Sequence, residues 1–110
     1  MAYIIMVFIE TSVFTKQVKD ILDDNSYHKL QVEIMLNPRA GNVIRGTGGL
    51  RKLRWFAPGS GKQGGTRIIY YYQDKEATVY MLLAYRKNRK EALTAQEKQQ
   101  LAQLVKEVLK

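Results

Sequence analysis

The chain has 110 residues, 45% of them hydrophobic, and a formal net charge of +8 at pH 7. This length fits a single domain, residues 1–110, with one modest core, and the hydrophobic fraction excludes a largely disordered chain. Cysteine is absent from the sequence, which excludes disulfides and thiolate metal sites and favours a cytoplasmic location. The excess of positive charge makes nucleic acid the first candidate partner, an acidic protein surface the second and an anionic membrane the third.

The N-terminal third predicts a strand followed by two helices. Tyr3–Ile9 is apolar on both faces, which is typical of a central strand, and it is too short to span a bilayer. We therefore expect neither a leader nor a membrane partner. Thr11 or Ser12 caps the first helix, and Ser26 caps the second after a break at Asn25. The side chains expected to face the sheet are Val13, Phe14, Val18, Ile21 and Leu22 in the first helix and Tyr27, Leu30, Ile34 and Met35 in the second.

The remainder predicts three strands and a final helix. Thr47-Gly48-Gly49 is typical of a turn, and residues 57–65 and 74–77 predict a flexible loop and a hairpin turn. The strands are Leu50–Phe56, Thr66–Gln73 and Thr78–Tyr85, and the helix is Thr94–Leu109. Thr94 and Glu97 form a capping-box pattern at the start of that helix. The order β-α-α-β-β-β-α predicts an α+β domain with a largely antiparallel four-stranded sheet, packed by an N-terminal helical hairpin and a C-terminal helix.

Positive charge concentrates between residues 41 and 73, where no acidic residue occurs. The cations there are Arg45, Arg51, Lys52, Arg54, Lys62 and Arg67. Grouped cations repel one another, so a polyanion is the natural partner of this segment. Strand alternation places Lys52 and Arg54 on one face and Arg51 on the other. The run Tyr70–Tyr72 sends at least one tyrosine to the face of Arg67, where it can stack on an unpaired base.

The chemistry that fits this cationic segment is RNA binding, with or without cleavage. His28 is the only histidine, and the string GTGGLRK lacks the spacing of a phosphate-binding loop, so we expect no metal and no cofactor. RNA cleavage needs no metal when the ribose 2′-hydroxyl attacks the adjacent phosphate. Lys52 lies between Arg51 and Arg54, and like charges disfavour its protonated form, so it is a candidate for proton exchange. A basic strand that only binds RNA, or one that docks an acidic protein, remains the alternative.

The strings IRGTGGLRKLRW, GGTRIIYYY and YMLLAYRKN resemble the RelE superfamily of bacterial type II toxins, and within it the HigB-type branch. The resemblance covers nearly the whole chain and is densest from Leu36 to Asn88. It implies a cytoplasmic, metal-independent endoribonuclease that enters the 70S ribosome and cleaves mRNA in the A site. It also implies a cognate antitoxin of helix-turn-helix type, through which the toxin would reach operator DNA.

The resemblance assigns the site residues by position. Catalytic roles fall on Lys52 and Arg54 of the second strand, on Arg67 of the third and on Lys87 after the fourth, with Arg86 as the alternative to Lys87. RNA or ribosome binding is assigned to Arg45, Arg51, Lys62, Tyr71, Arg86, Arg89 and Lys90. Leu93 stands where some family members have a tyrosine or histidine. The general acid or base is therefore left open between Tyr71 and Lys87.

Overall fold

The computed structural model describes residues 5–56, 65–90 and 92–109. Within them the helices are α1 (Ser12–Ile21), α2 (Asp24–Leu36) and α3 (Ala95–Leu104), and α3 continues as a π-helical turn, Val105–Leu109. The strands are β1 (Val7–Glu10), β2 (Asn42–Val43), β3 (Arg51–Trp55), β4 (Thr66–Gln73) and β5 (Thr78–Arg86). These strands form one sheet in the order β1-β5-β4-β3-β2.

The sheet is mixed, because β1 pairs with β5 in parallel while the other described pairings are antiparallel. This confirms the α+β class and the largely antiparallel sheet. The described residues hold five strands rather than the four expected, because Asn42 and Val43 pair with Lys52 and Arg51. So short a strand leaves little apolar alternation to read in the sequence.

The first strand lies at the edge of the sheet and not at its centre, so that expectation was wrong. Among the described residues β1 pairs only with β5. Phe8 packs against the core, whereas Val7 and Ile9 remain 46% and 45% exposed on the other face. Both faces of β1 are therefore apolar, but only the face that carries Phe8 packs against the core. The beginning of the expected strand, at residues 3 and 4, lies outside the described residues.

The two N-terminal helices begin at polar caps. Thr11 caps α1 as expected, since its hydroxyl accepts a hydrogen bond from the Phe14 N–H at 3.0 Å. Asp23 caps α2 by accepting from the Ser26 N–H at 2.7 Å, so the break precedes Asp23 and the Ser26 cap was wrong. A carboxylate at this position also complements the positive end of the helix dipole. Ser26 instead lies inside α2, where its hydroxyl accepts a hydrogen bond from the Trp55 indole.

Helices pack on both faces of the sheet. The helices α1 and α2 pack on one face, in a cluster that contains Phe14, Val18, Leu22, Leu30, Ile34, Leu53, Ile68, Tyr70, Val79, Met81 and Ala84. Two of the side chains expected there are exposed, Val13 at 50% and Met35 at 46%. The segment from α3 to Val105 covers the other face, against Leu50, Tyr71 and Leu82. No helix among the described residues is long and apolar enough to cross a membrane.

The glycine-rich turn before β3 is explained by its contact with Tyr71. Gly49 has a positive φ of 116°, and a Cβ there would lie 3.2 Å from the Tyr71 ring. A side chain would therefore be strained in conformation and crowded by the ring. The GTGG string thus lets the chain turn closely over a buried tyrosine before β3 begins.

Candidate nucleic-acid interface

Two arginines and a tyrosine form a row across three neighbouring strands. Arg54 of β3 lies opposite Arg67 of β4, and Arg67 lies opposite Tyr85 of β5. Residues directly opposite each other in antiparallel strands share a face, with Cβ atoms about 4.5–5.5 Å apart. Lys52, two residues before Arg54, projects from this same face and lies opposite Ile69. The structure therefore brings Lys52, Arg54 and Arg67 together. We call Arg54, Arg67, Tyr85 and Lys52 the cationic row.

The cationic row runs from solvent into the protein. Arg54 is exposed and Lys52 is half-buried. Arg67 is only 4% exposed and Tyr85 only 7% exposed. Burial, followed by the charge of Arg54, lowers the pKa of Arg67, and Tyr85 acts in the opposite direction. A bound anion would offset both unfavourable effects, so this arrangement favours a ligand such as phosphate.

Tyr85 was not among the residues that the sequence predicted for the site. Its ring packs with Ile69 and Leu93, and burial raises the pKa of its hydroxyl, against the influence of Arg67. The ammonium of Lys90 lies 5.9 Å from the centre of the ring. Only the strand register reveals Tyr85, because the sequence does not state which residue of β5 lies opposite Arg67.

The basic residues at the end of β5 and just after it differ in their contacts. The Arg86 guanidinium donates a hydrogen bond to the Asp20 carbonyl of α1 at 3.2 Å, so it is turned toward α1. Lys87 and Arg89 are exposed, and the Lys87 N–H donates to the Gly65 carbonyl beside the start of β4. Of Arg86 and Lys87, the exposed Lys87 is therefore the one that a ligand can reach without first breaking a described contact.

The other residues predicted to bind RNA lie in varied environments. Arg51 donates to the Gly41 carbonyl at 2.8 Å and lies on the face opposite Lys52. Arg45 is exposed in the turn before β3. Tyr71 shares the face of Arg67, but it is 8% exposed and packed with Leu50 and Val105. Its RNA-binding role remains a prediction, and little of its ring is exposed for stacking on a base. Lys62 lies outside the described residues.

Lys90 forms an ion pair with Glu97, the acidic residue of the capping box at the start of α3. Leu93 stands where some members of the resembled family have a tyrosine or histidine, and here it is buried beside Tyr85.

His28 is exposed on α2. Among the described residues, no group of three or more histidine, cysteine, aspartate or glutamate side chains lies close enough to hold a metal ion.

Residues 11–110 match a family model described as RelE toxin of the RelE/RelB toxin–antitoxin system. A mutant of the Escherichia coli toxin RelE in the free state has a similar structure, with a TM-score of 0.56 at 20% identity, covering 78% of this chain and 87% of that one. The intact E. coli RelBE toxin–antitoxin complex has a TM-score of 0.55 at 20% identity, covering 74% of this chain and 96% of that one. The archaeal RelE–RelB complex from Pyrococcus horikoshii OT3 has a TM-score of 0.52 at 16% identity, covering 76% of this chain and 97% of that one. At these identities the structural matches establish the fold.

Proposed function

Because the chain belongs to the RelE family of toxins of toxin–antitoxin systems, we propose that it is an endoribonuclease that cleaves mRNA in the ribosomal A site and so stops translation. The observation that carries this proposal is the cationic row, in which Arg54, Arg67 and Tyr85 lie side by side on three strands with Lys52 on the same face. A row of cations on one face can clamp the backbone of a single RNA strand.

The proposed reaction uses the RNA's own ribose. The 2′-oxygen attacks the adjacent phosphorus and the bond to the 5′-oxygen breaks, which leaves a 2′,3′-cyclic phosphate and a 5′-hydroxyl. A base takes the proton of the 2′-hydroxyl, and an acid gives a proton to the leaving 5′-oxygen. Arg54 and Arg67 stabilise the extra negative charge of the phosphorane, because guanidinium groups remain charged throughout. Lys52 and the exposed Lys87 are the amines that we assign to proton exchange.

The ribosome is the proposed place of action, and an antitoxin the proposed control. A net charge of +8 favours entry into a site walled by RNA. Two of the three structural matches described above are toxin–antitoxin complexes, which supports a cognate antitoxin for this chain. We assign the chain to the HigB-type branch, with an antitoxin of helix-turn-helix type that covers the cationic row and carries the toxin to operator DNA. Action on ribosomes places the protein in the cytoplasm.

RNA binding without cleavage is the second candidate function. It is favoured by the burial of Arg67 and Tyr85, which leaves Arg54 and the half-buried Lys52 as the accessible part of the row. A module of this kind would bind ribosomes and block translation without cutting mRNA.

Mapping of mRNA ends in a translating extract tests the proposal. Addition of the protein should create new 5′ ends within open reading frames, and a Lys52→Gln, Arg54→Gln variant should create few. The matched control is Arg39→Gln, because Arg39 is exposed and pairs with Asp74 away from the cationic row. Ribosome binding without new ends would instead establish the non-catalytic function. Absence of both would refute the two candidates.

A further inference from the structure

The Tyr85 hydroxyl is buried and, among the described residues, has no hydrogen-bond partner. Tyr70, on the opposite face of the sheet, shows the usual arrangement for a buried tyrosine. Its hydroxyl donates to the Pro38 carbonyl at 2.8 Å and accepts from the Gly41 N–H at 2.9 Å. Buried polar atoms are nearly always paired in folded proteins, and the exceptions concentrate where a ligand or water completes the bonding. The unpaired hydroxyl therefore points to a missing partner.

The position of Tyr85 indicates the chemistry of that partner. Arg67 lies directly opposite it on β4, and Arg54 is the next residue of the row. Ile69 and Leu93 pack with the ring, the Lys90 ammonium lies 5.9 Å from its centre, and the charge of the Glu97 carboxylate helps to raise the pKa of the hydroxyl. The neighbouring cations offer the hydroxyl no acceptor, since guanidinium and ammonium groups only donate, and the Glu97 carboxylate bonds to Lys90 and Thr94 and not to the hydroxyl. An anionic oxygen is the partner that all of these groups can share.

We propose that the Tyr85 hydroxyl donates a hydrogen bond to a non-bridging oxygen of the scissile phosphate, which makes it a further substrate-contacting residue of the site. This inference rests on the ribonuclease function proposed above. Burial raises the pKa of Tyr85, so the hydroxyl keeps its proton at neutral pH and acts as a donor and not as a base. It supplies a polar group in the buried cluster that also contains the apolar Leu93.

A phosphate that reaches the hydroxyl would also meet Lys90, whose ammonium lies near the ring. The ammonium lies 5.9 Å from the centre of the Tyr85 ring and pairs with Glu97. Both side chains of this pair are about one-third exposed, at 31% and 30%, so neither is locked in the interior. A phosphate drawn in by Lys52 and Arg54 gives Lys90 a second anion to pair with. Lys90 can then leave the ring, and exposed side chains exchange rotamers within nanoseconds.

Tyr85→Phe tests the proposal, because it removes the hydroxyl and keeps the ring. The melting temperature should not fall, since no described group loses a hydrogen bond. Single-turnover cleavage of mRNA on programmed ribosomes should slow by about 10²- to 10³-fold, with ribosome affinity unchanged. Tyr70→Phe is the matched control. It should lower the melting temperature, because the Gly41 N–H and the Pro38 carbonyl lose their partner, and the folded protein should cleave at the normal rate.

A phosphorothioate substrate tests the contact itself. Sulfur at one non-bridging position of the scissile phosphate should slow the wild-type protein, and the same sulfur should slow Tyr85→Phe much less. Equal slowing of both proteins, or a Tyr85→Phe variant that cleaves at the wild-type rate, would overturn the inference while leaving the ribonuclease function intact. A Tyr85→Phe variant that melts as early as Tyr70→Phe would assign the hydroxyl a structural role and overturn it as well. A wild-type protein that cleaves nothing would overturn both proposals.

Discussion

Lys90 and Glu97 form an ion pair that joins the segment after β5 to the first turn of α3. The Glu97 carboxylate also accepts a hydrogen bond from the Thr94 N–H at 2.9 Å, and the Thr94 hydroxyl accepts from the Glu97 N–H at 3.1 Å. The same carboxylate therefore caps α3 and holds Lys90 against the Tyr85 ring. Through this pair, the first turn of α3 is linked to the Tyr85 side of the cationic row.

The Glu97 contacts predict a pH-dependent part of the stability. The hydrogen bond from Lys90, followed by that from Thr94, lowers the pKa of Glu97 in the folded protein. At acidic pH the unfolded chain therefore binds more protons than the folded protein. The stabilisation is fully present above the pKa that Glu97 has in the unfolded chain, and it is lost as the pH falls through the lower pKa that Glu97 has in the folded protein. Glu97→Gln should be less stable at pH 7 by up to about 1 kcal/mol, with a difference that shrinks on acidification.

Urea unfolding as a function of pH measures this effect. Glu33→Gln serves as the control, because Glu33 is exposed on α2 far along the chain from Lys90. A difference between wild type and Glu97→Gln that stays constant from pH 7 to about pH 3 would contradict the linkage.

Arg67→Gln tests the electrostatic role of the cationic row. The substitution removes a preorganised positive charge at the centre of the row, and such losses typically slow catalysis by about 10²–10³-fold. We expect that reduction in single-turnover cleavage, with Arg39→Gln close to wild type. Because Arg67 is buried, urea unfolding of the variant must accompany the rate. A folded Arg67→Gln protein with full activity would remove Arg67 from the site.

The salt dependence of ribosome binding separates the two faces of β3. Removing one cation that binds a phosphate of a single strand lowers the slope of log K against log salt by about 0.7. Arg54→Gln should show that reduction. Arg51→Gln should not, because Arg51 lies on the opposite face and donates to the Gly41 carbonyl. Binding curves at several salt concentrations measure both slopes, and equal slopes for the two variants would argue against a face-specific contact.

Several features followed from local sequence. The bounds of β4, Thr66–Gln73, agree with the expectation, and the capping box of Thr94 and Glu97 is present. The shared face of Lys52 and Arg54 also follows from strand alternation, which requires only the chain itself. These features depend on neighbours within a few residues, so the sequence contains what determines them.

The remaining features depend on how elements pair. The edge position of β1 is decided by its partner β5 and by the absence of a described strand beyond it. The opposition of Arg67 and Tyr85 is decided by strand register, which also includes an irregularity between Ile69 and Tyr70. For this reason the sequence predicted Tyr85 only as the last residue of a strand.

The most direct test of the ribonuclease account uses ribosomes programmed with an mRNA that carries one 2′-deoxynucleotide. The cleavage position is first mapped on the unmodified mRNA with the A site vacant, and the deoxy substitution is placed immediately 5′ of the scissile phosphate. The account predicts that the unmodified mRNA is cut and leaves a 2′,3′-cyclic phosphate, and that the substituted mRNA remains intact at that position. Cleavage of the substituted mRNA at the same phosphate would contradict attack by the 2′-hydroxyl.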